Sequence, residues 1–438
     1  MATSTALCVQ TEDRTYYRRR LLLIVLVAVV LRVAAIPLDS FENLMDANHI
    51  HAWEQGNVAQ SLVAGHGFGS PFESDQPSAI MPPVYPLIVA VFFRVFGVHT
   101  AHSIVAIHVF DCLINALACI PIFLLARRSF GERAGWWAAW GWAFFPYGIY
   151  FSVAWAWSTH LLLLCLCWLL FLSQEMEETS RAGLWAGFGV LAGFAGLTEP
   201  SVLVVVPFLL ALAAYKLARA GKRWLLPGTI ASLALAATIS PWLIRNAVVF
   251  HRFIPMRDSM GLELWMGNNG DSIRWTSDEL HPLHDMKELA AYDKGELAYM
   301  DQKALEARTY IHAHPDWYAW MCVRRAVYLW TGYWSFKQVY LAQEPTDPEN
   351  IPFATGMTLL GISGMVLMWR RNKFDAVRYG GVLFLFPMIY YFNHPEPYHM
   401  RALDPLLVML GCYAIVTWRE RVRESVAVSR AAGAVQEA

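Results

Sequence analysis

The chain has 438 residues, 56% of them hydrophobic and only 16% charged. A soluble domain is nearer one-quarter charged, so this balance excludes a water-soluble globular fold. The formal net charge of −1 says little by itself, because in a membrane chain the two sides share charge unequally.

Residues 1–20 read as a cytoplasmic N-terminus, with Arg14, Arg18, Arg19 and Arg20 ahead of a first span at 21–37. The apolar run LLLIVLVAVVL lacks a small-residue cleavage site, so a retained span is expected rather than a cleaved signal. Arg32, late in that span, is expected to snorkel or to face a polar cavity. The long outer loop 38–83 carries six carboxylates, His49, His51 and His66, and no Lys or Arg. Within it, 46–64 suits an interfacial helix ended by Gly65. The run 82–97 is short for a crossing, and whether it spans is left open.

Residues 102–126 cross inward to the basic run ARRSFGER. The stretch 136–174 is too long for one crossing, and Pro146 divides it into an outward and an inward span. Trp155 and Trp157 fit an interfacial aromatic belt there. Spans at 184–197, 202–217 and 225–249 complete a transmembrane region covering 21–249. Hydropathy then falls, and 250–350 reads as a small helical domain on the outer side. Spans at 353–369, 379–392 and 406–418 form the C-terminal transmembrane part, 351–418, before a cytoplasmic tail at 419–438. The expectation is an all-α polytopic membrane protein with about ten transmembrane helices and both termini cytoplasmic. Of the 34 Lys and Arg, 20 fall in the short pieces this topology places inside. The seven cysteines lie mostly in apolar runs and imply packing, not a disulfide framework.

On a helix through 46–64, Glu54 has Ile50 one turn before it and Val58 one turn after, so its carboxylate borders the apolar stripe. Such an acid is either used or is a solvated group at the edge of an interfacial helix. Asp46, eight residues earlier, can share its face. His49 and His51 diverge on a helix, so no metal pair is argued. Arg245 in SPWLIRN, Arg257 in IPMRDSMG and Arg401 in PYHMRALDP fall at outer span ends. There they either bind a lipid phosphate or anchor the interface. Glu199, at the end of a span, pairs with one of those arginines or contacts substrate. Tyr398 and His399 beside Arg401, and Tyr85 in PPVYP, complete the candidate substrate contacts. The glycines of GHGFG and GNNG lack a strand–helix setting, so no nucleotide loop is read.

WEQGNVAQSLVAGHGFGSPF followed by PSAIMPPVYPLIVAVFFRVFG resembles the first outer loop of bacterial GT-C glycosyltransferases. These membrane enzymes are similar to protein O-mannosyltransferases and lipid A aminoarabinose transferases. SPWLIRNAVVFHRFIPMRDSMGLELWMGNN and YHMRALDPLL resemble two further segments of one bacterial branch, and the likeness runs from Leu21 to about Trp418. It implies an integral-membrane transferase of the hexosyl or pentosyl class in the plasma (inner) membrane. Such an enzyme moves a sugar, with inversion, from a polyprenyl-phosphate donor to a lipid, glycan or protein acceptor at the periplasmic or outer face. It implies no nucleic-acid partner and no certain cofactor, with a divalent cation left open. The first-loop acid of such families serves as general base or orients the acceptor, a role that falls on Glu54, with Asp46 as a helper. Many members carry an acidic pair here, where this chain has Trp53 before Glu54, and Met81 stands where some relatives have an acid. A transporter or flippase of a lipid-linked sugar is the rival reading, and a lipid-linked glycan polymerase a second. Ionisable residues gathered at span ends, rather than at mid-membrane, favour an enzyme over a transporter.

Overall fold

The computed structural model describes residues 2–38, 53–72, 76–270, 280–341, 347–394 and 397–436. Asp46, His49 and His51 lie outside the described residues. Among those described there is no strand, only an isolated bridge between Gly69 and Pro77, so the fold is all-α.

Helix α1 (Ala2–Ala35) leads to α2 (Glu54–Ala64) and α3 (Val84–Phe96). At 13 residues, α3 is ~20 Å long, short of the ~30 Å hydrocarbon core. Next come α4 (Ala101–Leu117) and α5 (Cys119–Phe130), which join into one apolar segment, and α6 (Glu132–Ala143). Pro146 opens α7 (Pro146–Ala154), as its ring favours at a first helical turn. The stretch 136–174 is therefore broken twice, at 144–145 and again at 155–158, before α8 (Thr159–Met176) begins. Further along are α9 (Ala182–Thr198), α10 (Val205–Arg219) and α11 (Leu225–Phe250). The polar segment holds α12 (Met260–Gly267), α13 (Met286–Tyr292), α14 (Glu296–Ala313), α15 (Pro315–Thr331) and the single turn α16 (Gln338–Leu341). The chain ends in α17 (Asp347–Arg371), α18 (Lys373–Leu385), α19 (Met388–Phe392) and α20 (Asp404–Gln436).

Among the described residues, six segments are long and apolar enough to cross a bilayer: Ala101–Phe130, Thr159–Met176, Pro200–Arg219, Leu225–Phe250, Pro348–Arg371 and Tyr398–Ala427. They answer to six of the ten expected spans, and the chain is a multi-pass membrane protein. Their burial differs sharply: 72% of the α8 window is buried inside the protein but only 11% of the α11 window. Helix α8 is thus a central strut. Helix α11 turns Leu226, Leu233, Ile244 and Val248 outward, as a lipid-facing helix does.

Packing of α9 on α11 sets up the site. A Cβ on Gly189 would come within 2.1 Å of the Ala231 carbonyl oxygen, so only glycine lets these backbones meet there. Glu199 follows the end of α9 and Arg257 follows α11, so this close approach brings their segments together.

Arg32 corrects the expectation of a snorkelling side chain. It is fully buried, and its guanidinium donates to Asn115 Oδ1 (2.9 Å), Ala28 O (3.1 Å), Ala143 O (3.1 Å) and Trp142 O (3.0 Å). Two of those carbonyls lie at the C-terminal end of α6, where Trp142 O also accepts from Phe145 N–H (3.2 Å) and Ala143 O is beyond the reach of the helical ladder. The charge therefore caps a helix inside the protein rather than reaching for water. Arg32→Met should lower the unfolding midpoint in detergent, by roughly 1–3 kcal/mol for each acceptor left bare. An unchanged midpoint would show that the cap is dispensable.

Candidate active site

Helix α2 starts the site. Glu54 is its first residue, where the positive end of the helix favours a carboxylate. Val58 is fully buried one turn on, and Gly65 (φ 85°) closes the helix in the left-handed conformation its sequence marks. Trp53 Nε1–H donates to Ala156 O (2.9 Å), tying the helix to the turn that carries Trp155 and Trp157. Glu54 and Gln55 both face a cavity of about 290 Å³, near the lower end of the ~300–1,000 Å³ of small-molecule pockets.

Opposite, Arg257 follows Met256, a non-glycine residue held at φ 76° with its carbonyl accepting from Trp242 Nε1–H (2.5 Å). Backbone strain of that kind persists where the surroundings over-determine it. Arg257 Nη2 lies 2.8 Å from Glu263 Oε1, and Nη1 lies 3.7 Å from Glu199 Oε1. Its Nε, buried, has no hydrogen-bond partner among the described residues. Glu263, in the first turn of α12, has its second oxygen 3.0 Å from His394 Nδ1. His281 Nε2 approaches Glu54 Oε1 at 3.3 Å. Tyr398, His399, Trp155, Trp157, His284 and Ser259 line the same space. The His399 ring stacks on Tyr390 at 4.2 Å.

The electrostatics divide the acids. Burial pushes the Glu199 carboxyl above the usual range, and Arg257 only partly opposes it. Burial would raise Glu263 too, but His394 and Arg257 outweigh it and hold that carboxyl below its ordinary value. Burial alone would pull the Arg257 guanidinium down, and Glu263, Glu199 and Glu54 together hold it up. Arg257 and Glu263 thus form the fixed pair, with Glu199 the loosely held partner. Gln55, 2% exposed, has an amide oxygen without a hydrogen-bond partner among the described residues and faces the cavity, where a buried acceptor is costly unless a donor arrives.

Of the candidate residues, the structure brings together Glu54, Glu199, Arg257, Tyr398 and His399. Three others lie elsewhere. Arg245 donates to Ser78 O (2.7 Å) and Phe68 O (3.0 Å), so its fork holds the loop behind the cavity. Arg401 pairs with Asp404 (3.3 Å), lies over Tyr147, and lines a separate space of about 20 Å³. Tyr85 is buried, with its hydroxyl 2.6 Å from Asp111 Oδ2. Sequence reading missed Glu263, His281, His284 and His394; GLELWMGNN was quoted for its pattern, but nothing in it marks its glutamate as Arg257's partner. No three His, Cys, Asp or Glu converge as metal ligands among the described residues.

The loop carrying Ile80, Met81 and Pro82 into the cavity wall is clamped at one residue, Ala79. Ala79 N–H donates to Glu296 Oε1 (2.8 Å), Tyr292 OH donates to Glu296 Oε2 (2.9 Å), and Asp258 N–H donates to Ala79 O (2.9 Å). Burial pushes the Glu296 carboxyl up to about 7, against hydrogen bonds from Ala79, Ser78 and Tyr292 that favour its charge. An ordinary glutamate titrates near 4.5, so the native state holds the proton more tightly between these values. That stabilisation is fully present below pH 4.5 and lost as pH rises through about 7. Glu296→Gln should flatten the fall of the unfolding midpoint across that window. An unaltered slope would assign it to other groups.

Residues 80–244 match the family model described as dolichyl-phosphate-mannose-protein mannosyltransferase. A search of curated protein sequences finds no match. Among solved structures, the oligosaccharyltransferase of Archaeoglobus fulgidus in its apo form superposes with a TM-score of 0.53 at 11% identity. That match covers 95% of this chain and 52% of the archaeal one. AglB from the same organism, in complex with an inhibitory peptide and a dolichol-phosphate, gives a TM-score of 0.52 at 12% identity, covering 96% and 52%. ArnT from Cupriavidus metallidurans bound to undecaprenyl phosphate gives 0.40 at 13% identity, covering 90% and 77%. This chain spans about half the length of the archaeal enzyme. The matched family model and the shared helical architecture agree: the chain is a multi-pass membrane protein with the GT-C glycosyltransferase fold.

Proposed function

We propose that the protein transfers a sugar from a polyprenyl-phosphate donor to an acceptor hydroxyl, with inversion, at the outer face of a bacterial plasma membrane. One observation carries this reading: a carboxylate, Glu54, faces the same cavity as a half-buried guanidinium, Arg257, whose Nε–H has no partner among the described residues. Glu54 takes the proton from the acceptor hydroxyl as the acceptor oxygen attacks the anomeric carbon. The bond from that carbon to the donor phosphate breaks, its electron pair leaves on the phosphate, and Arg257 stabilises the charge that develops there. Tyr398, His399 and Glu199 contact substrate, while Arg245 and Arg401 brace the surrounding walls. The matched family's dolichyl-phosphate description and the dolichol-phosphate in the archaeal AglB complex support a lipid-linked donor. In this reading residues 250–350 form the outer domain, 21–249 and 351–418 the transmembrane parts, and both termini are cytoplasmic.

The test is transfer from a radiolabelled undecaprenyl-phosphate sugar pool in membranes containing the protein. Label in a new product supports the transferase. Label that only changes leaflet favours a flippase, and label in lengthening glycan chains favours a polymerase.

A further inference from the structure

Glu54 has a partner from 227 positions along the chain, His281, whose Nε2 lies 3.3 Å from Glu54 Oε1. Both side chains are largely enclosed, at 14% and 16% exposure. The other ring nitrogen is already engaged, because the Leu283 backbone N–H donates to His281 Nδ1 at 3.3 Å. A ring nitrogen that accepts carries no hydrogen, so in the neutral imidazole the hydrogen is on Nε2 and points at the carboxylate.

The mount of this ring is built, not incidental. The backbone N–H groups of His284 and Asp285 both donate to His281 O, at 2.8 and 3.0 Å, and close a tight turn. Asp285 then caps α13 by accepting from Lys287 N–H at 2.7 Å. The edge of Phe72 packs against the ring at 5.0 Å and 88°. A turn, a helix cap and an aromatic wall therefore fix a histidine over the first-loop acid.

We propose that His281 is a positioning residue for transfer: its Nε2–H holds one oxygen of Glu54, leaving the other turned to the acceptor hydroxyl. This rests on Glu54 acting as the base. The terminal torsion of a glutamate is broad and roughly two-fold, so an untethered carboxylate samples orientations in which neither oxygen lies in line. A base must come within ~2.6–3.2 Å of the group it deprotonates, and a misplacement of about 1 Å can cost ~100-fold. The hydrogen on His281 does not move in the step. The acceptor proton goes to the free oxygen of Glu54, and the leaving pair goes to the donor phosphate.

The experiment compares His281→Leu and His281→Gln with the wild type and Glu54→Gln. It uses purified full-length protein in detergent, with the radiolabelled undecaprenyl-phosphate sugar pool as probe. A glutamine amide nitrogen reaches the place of Nε2 and donates, whereas leucine cannot. The expected result is a fall in kcat of about 100-fold for His281→Leu with little change in donor KM. His281→Gln should recover to within about fivefold, at the same melting temperature as the leucine variant. Adding His281→Leu to Glu54→Gln should cost nothing further, because the histidine acts only through that acid. Wild-type rates in His281→Leu, with Glu54→Gln inactive, overturn the proposal and leave the base in place. Equal losses in both histidine variants, tracking a lowered melting temperature, overturn it in favour of a purely structural pin. Full activity in Glu54→Gln removes the base itself, a different failure recognised by that variant alone.

Discussion

Glu54→Gln is expected to lower the transfer rate by about 10²–10⁴-fold, the span a positioned general base contributes. Insertion and melting temperature should be unchanged. The substitution keeps the shape of the side chain and an oxygen for His281 Nε2–H, and removes only the capacity to take a proton. Glu54 also opens α2, where a carboxylate interacts favourably with the helix end by ~0.3–1 kcal/mol. That second role is what the experiment separates from the first. If the acid only stabilises the start of the helix, the glutamine variant loses a few tenths of a kcal/mol and keeps its rate. If it is the base, the rate collapses in a protein that melts where the wild type does. A normal rate with normal folding would sink the assignment.

The parts of this site that could be read from sequence are those set by local pattern. Of the helix read at 46–64 from apolar spacing and a glycine cap, the part from Glu54 to Ala64 and its left-handed Gly65 stand in the structure, which begins the helix at Glu54, while 46–52 lie outside the described residues. The six long apolar segments follow from composition, because a helix in lipid must satisfy its own backbone. What was illegible was how each charge is spent. Arg245, Arg257 and Arg401 look alike in sequence, each near a span end. Only the fold shows that Arg245 donates to Phe68 and Ser78 carbonyls from a distant loop, and that Arg401 faces Asp404 in another space. Arg257 alone among them lines the cavity beside Glu54. His281 and His394 were missed for the same reason, since each pairs with a residue more than 100 positions away, and Glu263 because its partner Arg257, six residues earlier, falls outside any regular helical spacing. Arg32 shows the converse, since an arginine late in an apolar run suggests the interface until its guanidinium is seen donating to the carbonyls of Trp142 and Ala143 inside the protein.

The second large effect concerns Arg257, and the choice of substitution decides what is learned. Its guanidinium points three ways: Nη2 to Glu263, Nη1 loosely to Glu199, and Nε to no partner among the described residues. Truncation to alanine would leave two half-buried carboxylates, at 16% and 24% exposure, without their shared cation, at a cost below the roughly 3–5 kcal/mol of breaking a fully buried pair. Both carboxyls would then titrate higher in the folded state, so the loss would grow as pH rises through their range and shrink in acid. A dead alanine variant would therefore report folding as much as function. Arg257→Lys keeps the charge and the partner of Glu263 but loses the fork that can hold a carboxylate and a phosphate oxygen together. An arriving phosphate competes with Glu199, the partner at 3.7 Å whose carboxyl burial already pushes up, so that acid can yield by taking a proton. For the lysine variant the expected result is a loss of about 10²–10³-fold in kcat/KM for the donor, as for removal of one preorganised transition-state donor. The acceptor KM and the melting temperature should stay near wild type. If donor kinetics are unchanged while the protein stays folded, Arg257 serves only to hold Glu263 and Glu199, and the phosphate is bound elsewhere along the cavity wall.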